Sequence, residues 1–125
     1  MITIIIIAIT SIISVLSFSN RNLFDRLKFN AVDAREPARW YRFLTYGMIH
    51  AGLLHLLINM LVLYSFGSIV ESFYGAYFPE KHGFYFLLLY IGGLIISILP
   101  SFGKHRNDVF YNAVGASGAV SAVLF

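Results

Sequence analysis

Residues 48–67 read MIHAGLLHLLINMLVLYSFG, an apolar run interrupted by His50, His55 and Asn59. The run is long enough to cross a membrane, because a hydrocarbon core roughly 30 Å thick needs about 20 helical residues. Polar and ionisable side chains are costly at membrane depth, so they normally face the interior of a helical bundle and mark a functional site. We therefore predict a membrane-spanning helix that carries functional polar residues.

The composition of the whole chain extends this prediction. Of its 125 residues, 58% are hydrophobic and 12% are charged, whereas about a quarter of the residues in a soluble domain are charged. Long runs of low charge predict spans at about residues 1–19, 46–70, 83–100 and 114–125, the last of them short. Because irregular backbone cannot face lipid, each run is expected to be helical. The predicted fold is an all-α, polytopic helical bundle in a multi-pass integral membrane protein, with three transmembrane helices and the start of a fourth.

The same composition excludes several kinds of site and partner. The chain has no cysteines, which rules out disulfides, thiolate metal ligands and a cysteine nucleophile. Its net charge of +3 is spread over several loops, whereas nucleic-acid binding requires a concentrated basic face. We therefore expect no nucleic acid partner, no metal and no cofactor, and we expect the lipid bilayer to surround the chain.

The first apolar run, at residues 2–19, has two interpretations. It is long enough for a spanning helix, and its small or hydroxyl side chains include Ala8, Thr10, Ser11 and Ser14. The alternative is a cleaved signal peptide, because Ser17 and Ser19 form a small-x-small arrangement. No positively charged residue precedes the run, which weakens that alternative.

Residues 20–45 form a polar stretch between the first two runs. Its six basic residues are Arg21, Arg26, Lys28, Arg35, Arg39 and Arg42. Pro37 interrupts any helix there, and Trp40 and Tyr41 lie among arginines in a mixture that settles at a membrane interface. We predict a loop half-submerged in the interface. A plain aromatic anchor that leads into the next helix is the alternative.

The spacing of the polar residues predicts their arrangement on the second helix. At about 100° per residue, His55 and Asn59 share a face one turn apart, whereas His50 lies about 140° from His55. His55 and Asn59 are therefore the expected pair. Glu71 is expected to close this helix at its far end.

The third run carries Gly92 and Gly93, with Ser97 beyond them. Small side chains of this kind allow another helix to approach closely. Pro100 is expected to end the third helix, because proline has no backbone N–H and clashes with the preceding turn.

Residues 115–118 read GASG where the chain changes from polar to apolar, so Ser117 is predicted near the N-terminus of the fourth helix. Free N–H groups and the positive end of the helix dipole meet there, and both stabilise the negative charge that develops on oxygen during acyl transfer. The alternative is that these small residues only pack the helix against its neighbours. Taken alone, the GASG motif favours this packing alternative.

The two motifs together are more specific than either one. A serine at a helix N-terminus, with a histidine and an asparagine on one face of another helix, provides a nucleophile and two donors for an oxyanion. In this combination the sequence resembles the rhomboid family of intramembrane serine proteases, which has H-x4-H-x3-N on its second core helix and G-x-S-G at the start of its fourth. Both motifs are present, Tyr41 and Arg42 match the aromatic-Arg motif of the family's first loop, and Glu71 lies where the family often has a glutamate.

The resemblance covers nearly the whole chain and implies a catalytic group. Ser117 would be the nucleophile, and its own backbone N–H would help to hold the oxyanion. His55 and Asn59 would donate side-chain hydrogen bonds to that oxyanion.

Five supporting residues are also implied by the resemblance. His50 would organise the hydrogen bonding near the mouth of the site, and Arg42 would order the first loop. Glu71 would support the structure by bonding within the protein. Gly115 and Gly118 would allow the close approach that packing and substrate entry require.

The sequence departs from the family's pattern at two points. Rhomboids use a Ser-His dyad whose general-base histidine lies on the sixth core helix, and none of the four histidines here matches that position. His82 and His105 are expected in loops, as solvated surface residues. The position four residues after the nucleophile is often aromatic in the family, and here it is Ser121. We therefore expect residues 1–125 to be the N-terminal part of a rhomboid domain, with the remaining helices absent and no activity alone.

Membrane orientation is predicted differently by charge and by resemblance. The positive-inside rule would place the basic first loop in the cytoplasm, whereas the family places this loop outside. We follow the family, because several of the arginines belong to a loop with a fold of its own. In a bacterium, the expected location is the plasma (inner) membrane.

The sequence is consistent with three functions. The leading one is an intramembrane serine endopeptidase that cleaves transmembrane segments of other membrane proteins with a Ser-His dyad. The second is a catalytically inactive rhomboid-like protein that binds membrane proteins. The third is a metal or proton transporter using His50 and His55, which is disfavoured because their five-residue spacing separates them on a helix, unlike paired helical metal ligands.

Overall fold

The computed structural model describes all 125 residues, and helices account for most of them. In chain order the elements are α1 (Ile2–Ser19), α2 (Arg21–Leu27), β1 (Phe29–Asn30), α3 (Arg42–Thr45), α4 (Leu53–Tyr77), α5 (His82–His105), β2 (Asn112–Ala113) and α6 (Ser117–Leu124). Three of these helices, α1, α4 and α5, are long and apolar enough to cross a membrane. The predicted all-α membrane bundle is confirmed.

Helices α1, α4 and α5 alternate in direction, so their connections lie at two ends of the bundle.

Glu71, near the end of α4, binds the first turn of α1. Its carboxylate accepts hydrogen bonds from the N–H of Ile2 at 2.7 Å and from the N–H of Thr3 at 2.9 Å. The Thr3 hydroxyl donates to the same carboxylate at 2.8 Å. The carboxylate therefore satisfies N–H groups that have no partner inside α1.

Helix α6 packs against α5 through residues without bulky side chains. A Cβ placed on Gly93 of α5 would lie 2.8 Å from the Cβ of Ala122 and 3.0 Å from the Cα of Ala119, which is too close for any real side chain. A Cβ placed on Gly118 would overlap the side chain of Ser97. The predicted close approach of another helix is confirmed at Gly93 and Ser97, with α6 as the partner, whereas nothing packs against the Cβ position of Gly92.

Residues 20–52 fold into a layer whose buried apolar side chains join the hydrophobic core of the helices. Phe29 is fully buried, and its ring makes edge-to-face contacts with Phe43 at 5.2 Å and Phe102 at 6.2 Å. Strand β1 pairs antiparallel with β2, so this layer is joined to the segment that leads into α6. Trp40 and Tyr41 remain exposed on its surface.

The helices differ from the predicted spans at three boundaries. Helix α4 begins at Leu53 rather than near residue 46, and it continues past Glu71 to Tyr77. Pro100 does not end the third helix, because α5 runs on to His105 with Pro100 inside it. His82 and His105 were expected in loops, but they are the first and last residues of α5 and both are partly buried. The packing of Phe102 against the aromatic core of the first loop holds these last turns in place, since tertiary contacts override a local helix breaker in a membrane bundle.

Replacing Glu71 with Ala should destabilise the protein by roughly 1.5 to 3 kcal/mol, because charge-assisted hydrogen bonds to buried N–H groups are lost. Chemical unfolding in detergent micelles measures the effect. Glu80→Ala, at an exposed glutamate in the connection between α4 and α5, is the matched control and should leave the free energy of unfolding unchanged. Equal stability of the two variants would show that the contact between Glu71 and α1 contributes little.

Candidate functional site

The His50 ring is the centre of a fully buried polar cluster between α1 and the start of α6. Its Nδ1 lies 2.9 Å from the hydroxyl oxygen of Ser14 on α1. Its Nε2 accepts from the backbone N–H of Ala116, the N-cap residue of α6, at 3.2 Å. The Ser14 hydroxyl donates to the Met48 carbonyl at 2.7 Å. One imidazole thus joins the first helix to the turn that begins α6.

These contacts define the protonation state of His50. The N–H of Ala116 can only donate, so Nε2 must carry a lone pair, and the proton of the neutral ring lies on Nδ1. Burial, and repulsion from the neighbouring His55, lower the pKa of His50 from its usual 6.5 to about 4. The ring is therefore neutral at physiological pH. Both of its nitrogens are engaged, so His50 cannot take a proton from Ser117.

The structure brings His50 and His55 together, contrary to the prediction that their spacing separates them. Their ring centroids lie 4.9 Å apart in an edge-to-face arrangement. The prediction was wrong because it assumed one continuous helix, whereas α4 begins only at Leu53 and His50 lies in the extended segment before it. The contact does not form a metal-binding pair, because both nitrogens of His50 are already hydrogen-bonded.

Gly115 is placed where only glycine fits. Its φ of 105° lies in the left-handed region that side chains disfavour. A Cβ there would also lie 2.7 Å from Cε1 of His55. Its N–H donates to the carbonyl of Tyr46 at 2.9 Å. The turn before Ser117 is therefore held from one side by His50 and from the other by the backbone of Tyr46.

Asn59 lies one turn beyond His55 on α4, as the spacing predicted. Its side chain is buried, and its amide nitrogen donates to the carbonyl of His55 at 2.9 Å. This bond uses one of the two amide N–H groups, so the other is free to donate to a further acceptor. His55 itself is partly buried, and its Nδ1 accepts from the N–H of Ala51 at 3.4 Å.

Ser117 is the first residue of α6 and is exposed. It directly follows Ala116, whose N–H is held by His50, and it precedes Gly118, which packs on Ser97 of α5. Free N–H groups of the first helical turn lie beside it, together with the positive end of the helix dipole. The backbone is therefore held on both sides of the exposed Ser117 hydroxyl, at Ala116 and at Gly118.

Arg42 and Glu71 lie outside this cluster. The buried Arg42 guanidinium donates to the Asp33 carboxylate at 3.2 Å and to the Lys28 carbonyl at 3.5 Å, so it ties parts of the first loop together. Glu71 binds the first turn of α1, at the opposite end of that helix from Ser14. Both side chains therefore bond within the protein and away from the turn before Ser117.

Sequence reasoning gave no role to two residues that hold the cluster. Ser14 stood out only as one of several small or hydroxyl residues in an isoleucine-rich run, and Tyr46 was not singled out from the predicted second span. Their contacts with His50 and Gly115 join segments far apart in the chain. No local pattern predicts such contacts.

The stability of the protein should fall as the pH decreases from about 6.5 towards 4. In this range the unfolded chain binds a proton at His50, whereas the folded protein, in which the pKa of His50 is lowered, does not bind it. Thermal unfolding in detergent across this pH range measures the slope. His50→Gln should flatten it, whereas His105→Gln, at the end of α5, should keep it. An unchanged slope in the His50 variant would contradict a buried neutral ring.

Comparison with known proteins assigns the family. The Rhomboid domain family matches residues 37–125. Rhomboid protease GluP of Bacillus subtilis (strain 168) is 38% identical over 87 residues, which cover 68% of this chain and 15% of that protein. Putative rhomboid protease YdcA of the same organism is 35% identical over 81 residues, which cover 65% of this chain and 36% of that protein.

The chain thus spans well under half the length of these two relatives. The Rhomboid domain covers more than half of the chain itself, and the three apolar helices agree with a multi-pass integral membrane protein. On these grounds the chain belongs to the rhomboid family.

Proposed function

We propose that this rhomboid is an intramembrane serine endopeptidase and that Ser117 is its nucleophile. The observation that carries the proposal is the anchored turn before α6. His50 holds the N–H of Ala116, and the carbonyl of Tyr46 holds the N–H of Gly115. The Ser117 hydroxyl, which follows this turn, is exposed. A nucleophile must be accessible and must also be fixed within a fraction of an ångström.

The oxyanion formed by attack would be stabilised from two directions. The Ser117 N–H, at the start of α6, supplies a backbone donor aided by the helix dipole. The free amide N–H of Asn59 and the ring of His55 supply side-chain donors from α4. Gly115 and Gly118 let the turn pack closely against His55 and Ser97, while Arg42 and Glu71 support the loop and the helices around the site.

The general base of the proposed Ser-His dyad comes from outside residues 1–125. His50 is excluded because both ring nitrogens are engaged, and His55 is proposed as an oxyanion donor. His82 and His105 lie at the two ends of α5. A serine without a base is a poor nucleophile, so we propose that residues 1–125 are inactive alone.

The proposed substrates are transmembrane segments of other membrane proteins. A peptide bond inside a helix is protected by its own hydrogen bonds, so segments with small, helix-destabilising residues suit the site best. Cleavage also requires water to reach Ser117, because water must hydrolyse the covalent intermediate that the serine forms.

The alternative, an inactive rhomboid-like protein that binds membrane proteins, is not favoured. An inactive protein has no need to keep Ser117, His55 and Asn59 together.

A fluorophosphonate probe for activated serines should label the full-length natural protein in detergent, and Ser117→Ala should abolish the labelling while the fold is kept, because Ala suits a packed helix. Ser72→Ala, at an exposed serine on α4, is the control and should be labelled like the wild type. Retained labelling of Ser117→Ala would rule out its role, and no labelling of folded wild-type protein would favour the inactive alternative.

Replacing Asn59 with Ala should lower the cleavage rate of the full-length protein by roughly ten- to a thousandfold, since one oxyanion donor is worth up to about 4 kcal/mol. Ser65→Ala is the matched control, because the Ser65 hydroxyl also donates to a carbonyl four residues earlier on α4, at 2.9 Å. Cleavage of a model transmembrane substrate measures both. A rate that is equal in the two variants would make Asn59 a structural residue.

A further inference from the structure

We propose that Ser14, on the first helix, is a positioning residue for the nucleophile: it holds the His50 ring, which in turn holds the backbone N–H next to Ser117. This inference rests on the proposed function of Ser117. The hydrogen bonds that carry it can nevertheless be measured without any activity.

The hydrogen bonds form a chain in which each group donates to the next, from Ala116 to His50, then to Ser14 and finally to Met48. Ala116 N–H donates to Nε2 of His50 at 3.2 Å, and Nδ1–H donates to the Ser14 oxygen at 2.9 Å. The single hydroxyl proton of Ser14 goes to the Met48 carbonyl at 2.7 Å. Because that proton is used, Ser14 can only accept from His50, so it selects the tautomer that Ala116 requires.

Burial makes this arrangement sensitive to the loss of one partner. Ser14, His50 and Ala116 are each 0% exposed. Without the Ser14 oxygen, the Nδ1–H of His50 would be a buried donor with no acceptor, which is unfavourable enough to turn the ring or move its proton. Either change would weaken the acceptor that faces Ala116.

The turn before Ser117 has few other anchors. The N–H of Gly115 is held by the Tyr46 carbonyl, and the N–H of Ala116 is held only by His50. Loss of the second anchor would let the start of α6 shift. Misplacement of a reacting group by about 1 Å can cost about 100-fold in rate.

Ser17 provides a matched control on the same helix. It is a serine one turn further along α1 and is also buried, at 3% exposure. Its hydroxyl donates only to the backbone carbonyl of Ser14, at 2.7 Å. Ser17→Ala therefore removes a buried hydroxyl from α1 without touching the His50 ring.

The first measurement is the ¹⁵N spectrum of the histidine rings in the full-length protein in detergent, with signals assigned from His55→Gln, His82→Gln and His105→Gln. We expect the His50 proton on Nδ1 in the wild type and in Ser17→Ala, and a changed His50 signal in Ser14→Ala. A wild-type proton on Nε2 would overturn the proposal, since Ala116 could not then donate to that atom. An unchanged signal in Ser14→Ala would overturn it as well.

The second measurement is the rate of fluorophosphonate labelling at Ser117. Ser14→Ala should slow it about 10- to 100-fold, while Ser17→Ala should leave it unchanged at equal thermal stability. Equal rates for the two variants would overturn the positioning role. If Ser14→Ala does not fold, Ser14→Cys keeps the shape of the side chain with a weak acceptor and should show the same changes.

The two measurements separate this inference from the proposed function. Absence of labelling in the wild type would count against the nucleophile, and with it the positioning role. The histidine spectrum would then still show whether Ser14 holds His50.

Discussion

The structure depends on one constraint: a polar group buried among membrane-spanning helices must find its partner inside the protein. Two such pairings hold α1 against α4. The Glu71 carboxylate accepts hydrogen bonds from the first turn of α1. Ser14 lies about 16 Å further along that helix, at 1.5 Å per residue, and contacts His50 just before α4. Apolar side chains alone would allow these helices to slide, because lipid solvates such surfaces equally well. The polar contacts at both ends therefore fix the register.

The packing and catalytic interpretations of the GASG motif are not exclusive. Gly118 meets Ser97 on α5, and Gly115 leaves space for the ring of His55, so both glycines serve close packing. The same contacts determine where the intervening Ser117 lies and leave it exposed. Tight packing of its neighbours would hold the proposed nucleophile in one position.

The first loop also contributes to the position of α6. Its strand β1 pairs with β2, and the amide nitrogen of Asn30 donates to the Val109 carbonyl at 2.9 Å and to the side chain of Asn112 at 3.0 Å. Phe102, near the end of α5, packs against Phe29 in the same aromatic cluster. The layer at this end of the bundle is therefore one folded unit that includes the chain leading to Ser117.

The sequence by itself determined the membrane class, the three spans, the face shared by His55 and Asn59, and the place of Ser117 at a helix start. Run length, helical spacing and the cost of polar groups in lipid are properties of the local chain. Only the tertiary structure decided that α5 continues past Pro100, that His50 meets His55, and that Ser14 holds the ring. These features depend on contacts between distant segments, which override the local helical geometry from which the sequence prediction was made.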